Sequence, residues 1–300
     1  MPQKICILQA TSLDPLDILD TNIKSLKETG FDVNFVPYQV ETDSWPYKKT
    51  NMTRRLDALE QAFYSDAYDI ILFARGGYGA SDLLLDLNFK RLSQAKPKII
   101  VGFSDITAIL NAVYAKLAWP CIHGPMPASK LWLSNQASDI SLLLSLLQTK
   151  SYAFTQSLQS LNLLNAEKIQ GQVFGGCLSV LCNLFGTSFF PTAEKEIVLF
   201  IEDIGETPGR LVRYFNQILL SPISKQIAAI VIGSLKMAEG SELTELETKK
   251  ELALRAKVPV FSATFFGHQT PNYPLLYKAQ ALIVKAQDED YKLHIEGSIR

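Results

Sequence analysis

The chain has 300 residues, of which 47% are hydrophobic and 20% charged, and 29 Lys and Arg nearly balance 30 Asp and Glu. That length and composition fit a globular protein with a sizeable core, in two domains or one large α/β domain. A formal net charge of -1 with no sustained basic stripe argues against a nucleic-acid partner, and Lys48-Lys49 and Lys249-Lys250 are short solvated patches.

The opening MPQKICILQATS holds one Lys and an apolar run too short for a signal peptide, so it is expected to form a first buried strand. No window approaches the roughly 18 apolar residues of a membrane span. No membrane association is expected, and the expected compartment is the cytoplasm. Cys6, Cys121, Cys177 and Cys182 sit inside apolar runs without a CxxC pair, which predicts buried free thiols.

In chain order, KICILQ (4–9) precedes a turn-rich TSLDPLD. Helical spacing follows over 17–29, and FDVNFVPY (31–38) alternates as a strand. A second helix is expected over 53–66. The runs DIILFA (69–74) and KIIVGF (98–103) are continuous apolar strands, and SDITAILNAVYAKLA (104–118) is a clear helix. Apolar runs separated by amphipathic helices predict a parallel sheet covered on both faces, a Rossmann-like N-terminal layer. From about 130 to 168 the pattern dissolves into Ser, Gln, Leu and Asn. The expected division is therefore residues 1–140, a connector over 141–168, and 169–300. The last part predicts strands at 196–201, 227–233, 258–265 and a terminal pair, with helices at about 176–185, 208–220 and 242–256.

Three places carry candidate chemistry. In Gly102-Phe103-Ser104-Asp105, a serine stands where a buried strand turns into a helix. Its hydroxyl is exposed there, and the N–H of Asp105 opens the helix. The final glycine of a G-x-S-x-G elbow is missing, and a helix-capping serine fits the same residues. Arg75-Gly76-Gly77-Tyr78-Gly79 follows another buried strand, and its glycines let the backbone turn N–H groups toward a ligand. It is neither G-x-G-x-x-G nor a P-loop. Glu202 ends the strand EIVLFI, at the edge where α/β sheets bind ligands, and His268 lies in a loop past VPVFSATF. Glu202 could instead pair with Arg210 or Arg213, or join Asp203 and Glu206 around a divalent metal. Among the three histidines, His123 in CIHGPM is the rival base, and His294 sits in a terminal strand as a structural residue.

GGYGASDLLLDL, KIIVGFSDITAIL, HGPM, GQVFGGCLSVLCNLFGT, LFIEDIGETPGRLVR and FGHQTPNYP occur in that order. Together they resemble the LD-carboxypeptidase family of serine peptidases, which includes murein tetrapeptide carboxypeptidases and microcin C immunity peptidases. The resemblance spans residues 4 to about 285. It implies a nucleophile at Ser104, an acid at Glu202 and a base at His268, with backbone donors at Gly77 and Asp105. Gly76, Tyr78 and His123 are candidate substrate contacts. The implied fold is a Rossmann-like N-terminal domain with a smaller β-rich C-terminal domain. The implied assembly is a homodimer and the implied substrate a muropeptide, with no cofactor and no metal. Two departures stand out: Ala10-Thr11-Ser12 replaces the usual A-P-S-G, and Cys177 stands where Asn is common. Cleavage of peptidyl or aminoacyl nucleotides, or a non-catalytic nucleotide-binding module built on the GGYG loop, are the alternative functions.

Overall fold

The computed structural model describes residues 2–11, 18–38, 48–132, 137–164, 166–191, 196–286 and 290–299. The expected turn beyond Thr11, and with it Ser12, lies outside them. The first layer runs β1 (Lys4–Leu8), α1 (Leu19–Glu28), β2 (Asp32–Val36), α2 (Lys49–Tyr64), β3 (Ile70–Phe73), two one-turn helices α3 (Ala80–Leu83) and α4 (Phe89–Leu92), and β4 (Ile99–Gly102). A 3-10 turn over Ser104–Ile106 then leads into α5 (Thr107–Leu117) and β5 (Cys121–His123). Strands β1 to β5 pair in parallel, in the order β2-β1-β3-β4-β5. β3 and β4 are buried at every position, as their unbroken apolar runs predict for strands covered on both faces.

The second unit is a closed barrel. It comprises α6 (Ser138–Thr149), β6 (Ser151–Ser160), β7 (Lys168–Cys177), α7 (Leu178–Leu184), β8 (Ile197–Glu206), α8 (Pro208–Leu220), β9 (Ile227–Met237), α9 (Glu245–Ala253) and β10 (Val260–Ser262). The chain then passes through β11 (Leu275–Leu276), which joins the first sheet, and ends with the barrel strands β12 (Gln280–Lys285) and β13 (Tyr291–Ser298). Barrel order is β10-β6-β13-β12-β7-β8-β9. Closure leaves no unpaired edge among these seven strands. Each buried Ile, Leu or Phe contributes about 1.5–3 kcal/mol, and the first seven residues of β8 are all buried.

Three strands differ from the sequence reading. β6 lies inside the expected 141–168 connector but forms a barrel strand. Its exposed positions are Ser151, Ala153, Thr155, Ser157 and Gln159, so a half-exposed strand reads as polar loop, while Tyr152 and Leu158 point inward. β7 is glycine-rich because it must be: a Cβ at Gly175 would lie 1.7 Å from the Phe200 carbonyl oxygen. At Gly176 it would lie 2.5 Å from Thr107 Cγ2. β11 belongs to the C-terminal part in sequence yet completes the N-terminal sheet. It runs antiparallel to β5, with Leu275 opposite His123 and Leu276 opposite Ile122. The four cysteines are buried free thiols, and no described helix is long and apolar enough to cross a membrane.

Candidate active site

Ser104 is set by its turn. Its φ is +61°, in the left-handed region that L-residues occupy at a cost of about 1–2 kcal/mol. A single strained residue at the end of β4 throws the hydroxyl out of the sheet, as a nucleophile requires and a mere helix cap does not. Gly102 permits the tight turn, since a Cβ there would meet Ile106 Cγ2 at 2.7 Å.

The GGYG loop is pressed against this turn. A Cβ at Gly76 would lie 2.9 Å from Ser104 Cβ, so Gly76 must lack one. Gly77 adopts φ +120° and Gly79 φ +102°. Thr11 donates to the carbonyls of Arg75 and Gly76, both at 3.0 Å. Arg55, 2% exposed, donates to the Gly79 carbonyl at 2.8 Å and pairs with Asp82 at 3.2 Å. The Ala80 N–H donates to Asp105 Oδ2 at 2.8 Å, tying the loop to the residue after Ser104. Burial pushes the Asp105 carboxyl up to about 6, against the Ala80 hydrogen bond. The loops that carry the Gly77 and Asp105 N–H groups thus meet at Ser104. Tyr78 is 56% exposed. Arg55 gave no signal in the sequence, because its partners, the Gly79 carbonyl and Asp82, are distant in the chain.

Glu202 and His268 come from the barrel. Glu202 lies opposite Cys177 of β7, at a break in the β8–β9 register between Ile201 and Asp203. Such a bulge re-aims a side chain. His268 follows Gly267, whose φ of +102° and missing Cβ let the loop close on Glu202, where a Cβ would sit 2.8 Å from Glu202 Cβ. His268 Nδ1 meets Glu202 Oε2 at 2.6 Å, and Nε2 meets Ser104 Oγ at 3.0 Å. The Phe103 ring packs 5.0 Å from the imidazole. Burial disfavours the charge on both partners, but their mutual attraction and hydrogen bond win. The Glu202 carboxyl is held below its ordinary value and the His268 imidazole is raised.

Asp203 turns the other way. Its Oδ2 accepts from Ser179 N–H at 2.8 Å and its Oδ1 from Ile204 N–H at 2.8 Å, with Cys177 Sγ at 3.4 Å. Burial and the Glu202 charge push its carboxyl up to about 6. Glu206 meets Arg210 at 3.5 Å. The acidic trio is therefore dispersed, and among the described residues no three His, Cys, Asp or Glu side chains are grouped to hold a metal ion. His123 is 1% exposed, packed between Phe103 and Phe266, and pushed by burial down to about 4. It makes no hydrogen bond to Ser104 and lies enclosed behind Phe103 and Phe266. His294 bonds Thr155 at 2.8 Å on the barrel exterior.

A serine from the sheet held in line with an imidazole and a carboxylate from the barrel is an arrangement suited to nucleophilic hydrolysis. Residues 8–124 match the LD-carboxypeptidase N-terminal domain, and residues 170–283 match the LD-carboxypeptidase C-terminal domain. The chain belongs to the LD-carboxypeptidase family. It is 28% identical over 289 residues to the murein tetrapeptide carboxypeptidase of Pseudomonas aeruginosa, covering 93% of this chain and 92% of that one. It is 24% identical over 278 residues to the microcin C7 self-immunity protein MccF of Escherichia coli, covering 83% and 80%. The fold matches the crystal structure of muramoyltetrapeptide carboxypeptidase from Oxalobacter formigenes at a TM-score of 0.81, with 23% identity over 99% of this chain and 100% of that one.

Proposed function

We propose that this chain is a serine carboxypeptidase that hydrolyses the L,D-peptide bond of a murein tetrapeptide and releases its terminal D-alanine. The observation that carries the reading is the continuous line from Glu202 through His268 to Ser104, at 2.6 and 3.0 Å. A serine hydroxyl is a weak nucleophile until a base takes its proton. His268 Nε2 takes it as Ser104 Oγ attacks the scissile carbonyl carbon. Glu202 holds the Nδ1 proton and offsets the imidazolium charge. The Gly77 and Asp105 N–H groups receive the oxyanion; losing one such donor typically costs about 10²–10³ in rate. His268 then protonates the departing D-alanine nitrogen, and water, deprotonated by the same imidazole, frees the acyl group from Ser104. The murein substrate is supported by the names of relatives at 27–28% identity, and the role inferred from it is cytoplasmic peptidoglycan recycling.

Kinship with MccF supports a second reading, in which the same machinery cleaves a peptidyl or aminoacyl nucleotide. A purely nucleotide-binding module has no use for the Ser104–His268–Glu202 line. The test is hydrolysis of synthetic tetrapeptides ending in D-Ala or L-Ala, side by side with a peptidyl adenylate. A pocket shaped for the D-residue leaves the L-epimer's carboxylate unpaired and its methyl misplaced, a penalty of about 3–4 kcal/mol. The D-Ala peptide should be cleaved at least about 100-fold faster. Equal rates for the two epimers refute the LD-carboxypeptidase reading, and faster turnover of the adenylate replaces it with the second.

A further inference from the structure

Glu202 is held from the His268 side, by the ring and by the backbone N–H. Its Oε2 bonds His268, while Oε1 is sealed from solvent and meets no hydrogen-bonding partner among the described residues. Ser234 Oγ, Asn272 Nδ2 and both ring nitrogens of His123 share that condition. These three residues are 1%, 0% and 1% exposed. They gather around the turn that carries His268. The Cβ position of Gly267 lies 2.6 Å from Ser234 Oγ and 2.8 Å from Glu202 Cβ, so hydroxyl and carboxylate stem flank one point. Asn272 hangs on the same residue, its Oδ1 accepting from the Gly267 N–H at 2.9 Å. From the sheet side His123 packs edge-on against Phe266, the residue before Gly267, at 6.3 Å.

A buried polar atom left alone is costly, and folded proteins leave few of them. Four residues with such atoms around one turn form a unit rather than four separate defects. Their chemistry is complementary: the carboxylate only accepts, the amide nitrogen only donates, and hydroxyl and neutral imidazole do either. None reaches another within hydrogen-bonding distance, so the group that joins them must be small and able to donate and accept. Water bonded to between two and four such partners meets that description.

We propose that Ser234, Asn272 and His123 form a closed polar pocket that binds internal water against Glu202 Oε1, and that all three are positioning residues for the Glu202–His268 pair. The proposal rests on Glu202 being the carboxylate of the working triad. Fixing the second oxygen stops the carboxylate from rotating away from Nδ1, and donors facing it favour the unprotonated pair, which is net negative, over the protonated pair, which is neutral. Removing a donor therefore raises the pH at which His268 takes up a proton. The other charges facing the pair are Asp203 on β8, which raises the His268 imidazole, and Lys236 on β9, which lowers it. Both remain in the variants below.

The test is an NMR titration of the full chain with 15N-labelled imidazoles, in which only three histidines must be distinguished. Ser234→Ala and His123→Phe should each move the His268 midpoint up by about half a pH unit. A residue that merely packs the core would leave the midpoint in place. Unchanged midpoints in the folded variants overturn the proposal. If His123→Phe does not fold, Ser234→Ala, which removes a single oxygen, decides alone. The titration needs no substrate, so a failure here is separate from a failure of the triad, which turnover of Ser104→Ala tests.

Discussion

Ser104 is positioned by a few residues of contiguous chain, whereas Glu202 and His268 stand 66 residues apart and meet only because a barrel closes. On the sheet side the information is local. A buried strand, a glycine and one residue with φ +61° suffice to present the hydroxyl. On the barrel side each group depends on long-range pairing: Glu202 on its register with Cys177, and His268 on a glycine that lets its loop touch β8. Local placement tolerates change elsewhere in the molecule. Placement by closure couples His268 and Glu202 to the integrity of the whole barrel.

The sharpest break of that comparison removes one member from each side. Ser104→Ala from the sheet and His268→Ala from the barrel should each lower kcat by about 10⁵–10⁶, because triad members act as a unit. His123→Ala should cost far less. Circular dichroism of each variant checks that the fold survives, and equal damage from His123→Ala would put the base assignment aside.

Glu202→Gln comes next, with an expected loss of about 10³–10⁴ in kcat through the wrong imidazole tautomer. It also carries a pH signature. Glu202 raises the His268 imidazole, and activity requires the neutral base, so activity falls as pH drops through that raised value. Without the carboxylate charge, the acidic limb of kcat/KM should move to lower pH for whatever activity remains. A limb that stays or moves upward contradicts the assigned pairing.

The seam between the lobes gives a smaller effect. The Tyr277 hydroxyl donates to the Gly175 carbonyl at 2.6 Å and accepts from Asn111 of α5 at 3.0 Å, joining barrel to sheet. Tyr277→Phe leaves both partners buried and should cost about 1–3 kcal/mol in urea unfolding. It should also slow turnover more than it perturbs the sheet's amide exchange, since the barrel groups would shift relative to Ser104. The smallest effect isolates the local strain. Ser104→Gly should be more stable than Ser104→Ala by about 1 kcal/mol, because glycine occupies φ +61° freely. Equal stabilities would mean that the turn stores no strain.

The legible parts of this molecule follow the same division. β3, β4 and the α5 helix announce themselves as apolar runs and helical spacing, and α8 matches its expected span of 208–220. Ser104 and the GGYG loop stand at the ends of such runs. β6 and β7 did not, since one shows polar residues to solvent and the other gives up side chains to close approach. Glu202 and His268 emerged through ordered motifs rather than through any periodicity. Thr11 and Arg55 bond groups distant in the chain, and no spacing rule reaches that far.

The two residues of β11 also set a schedule. Until Leu275 and Leu276 have been synthesised, β5 is the outer strand of the sheet, with its hydrogen-bonding groups open on that side. About 150 residues separate the two strands, which at about 5–20 residues per second leaves the edge uncovered for on the order of ten seconds on the ribosome. An open, apolar strand edge invites pairing with other chains. A chain truncated before residue 275 should therefore aggregate rather than persist as a free sheet.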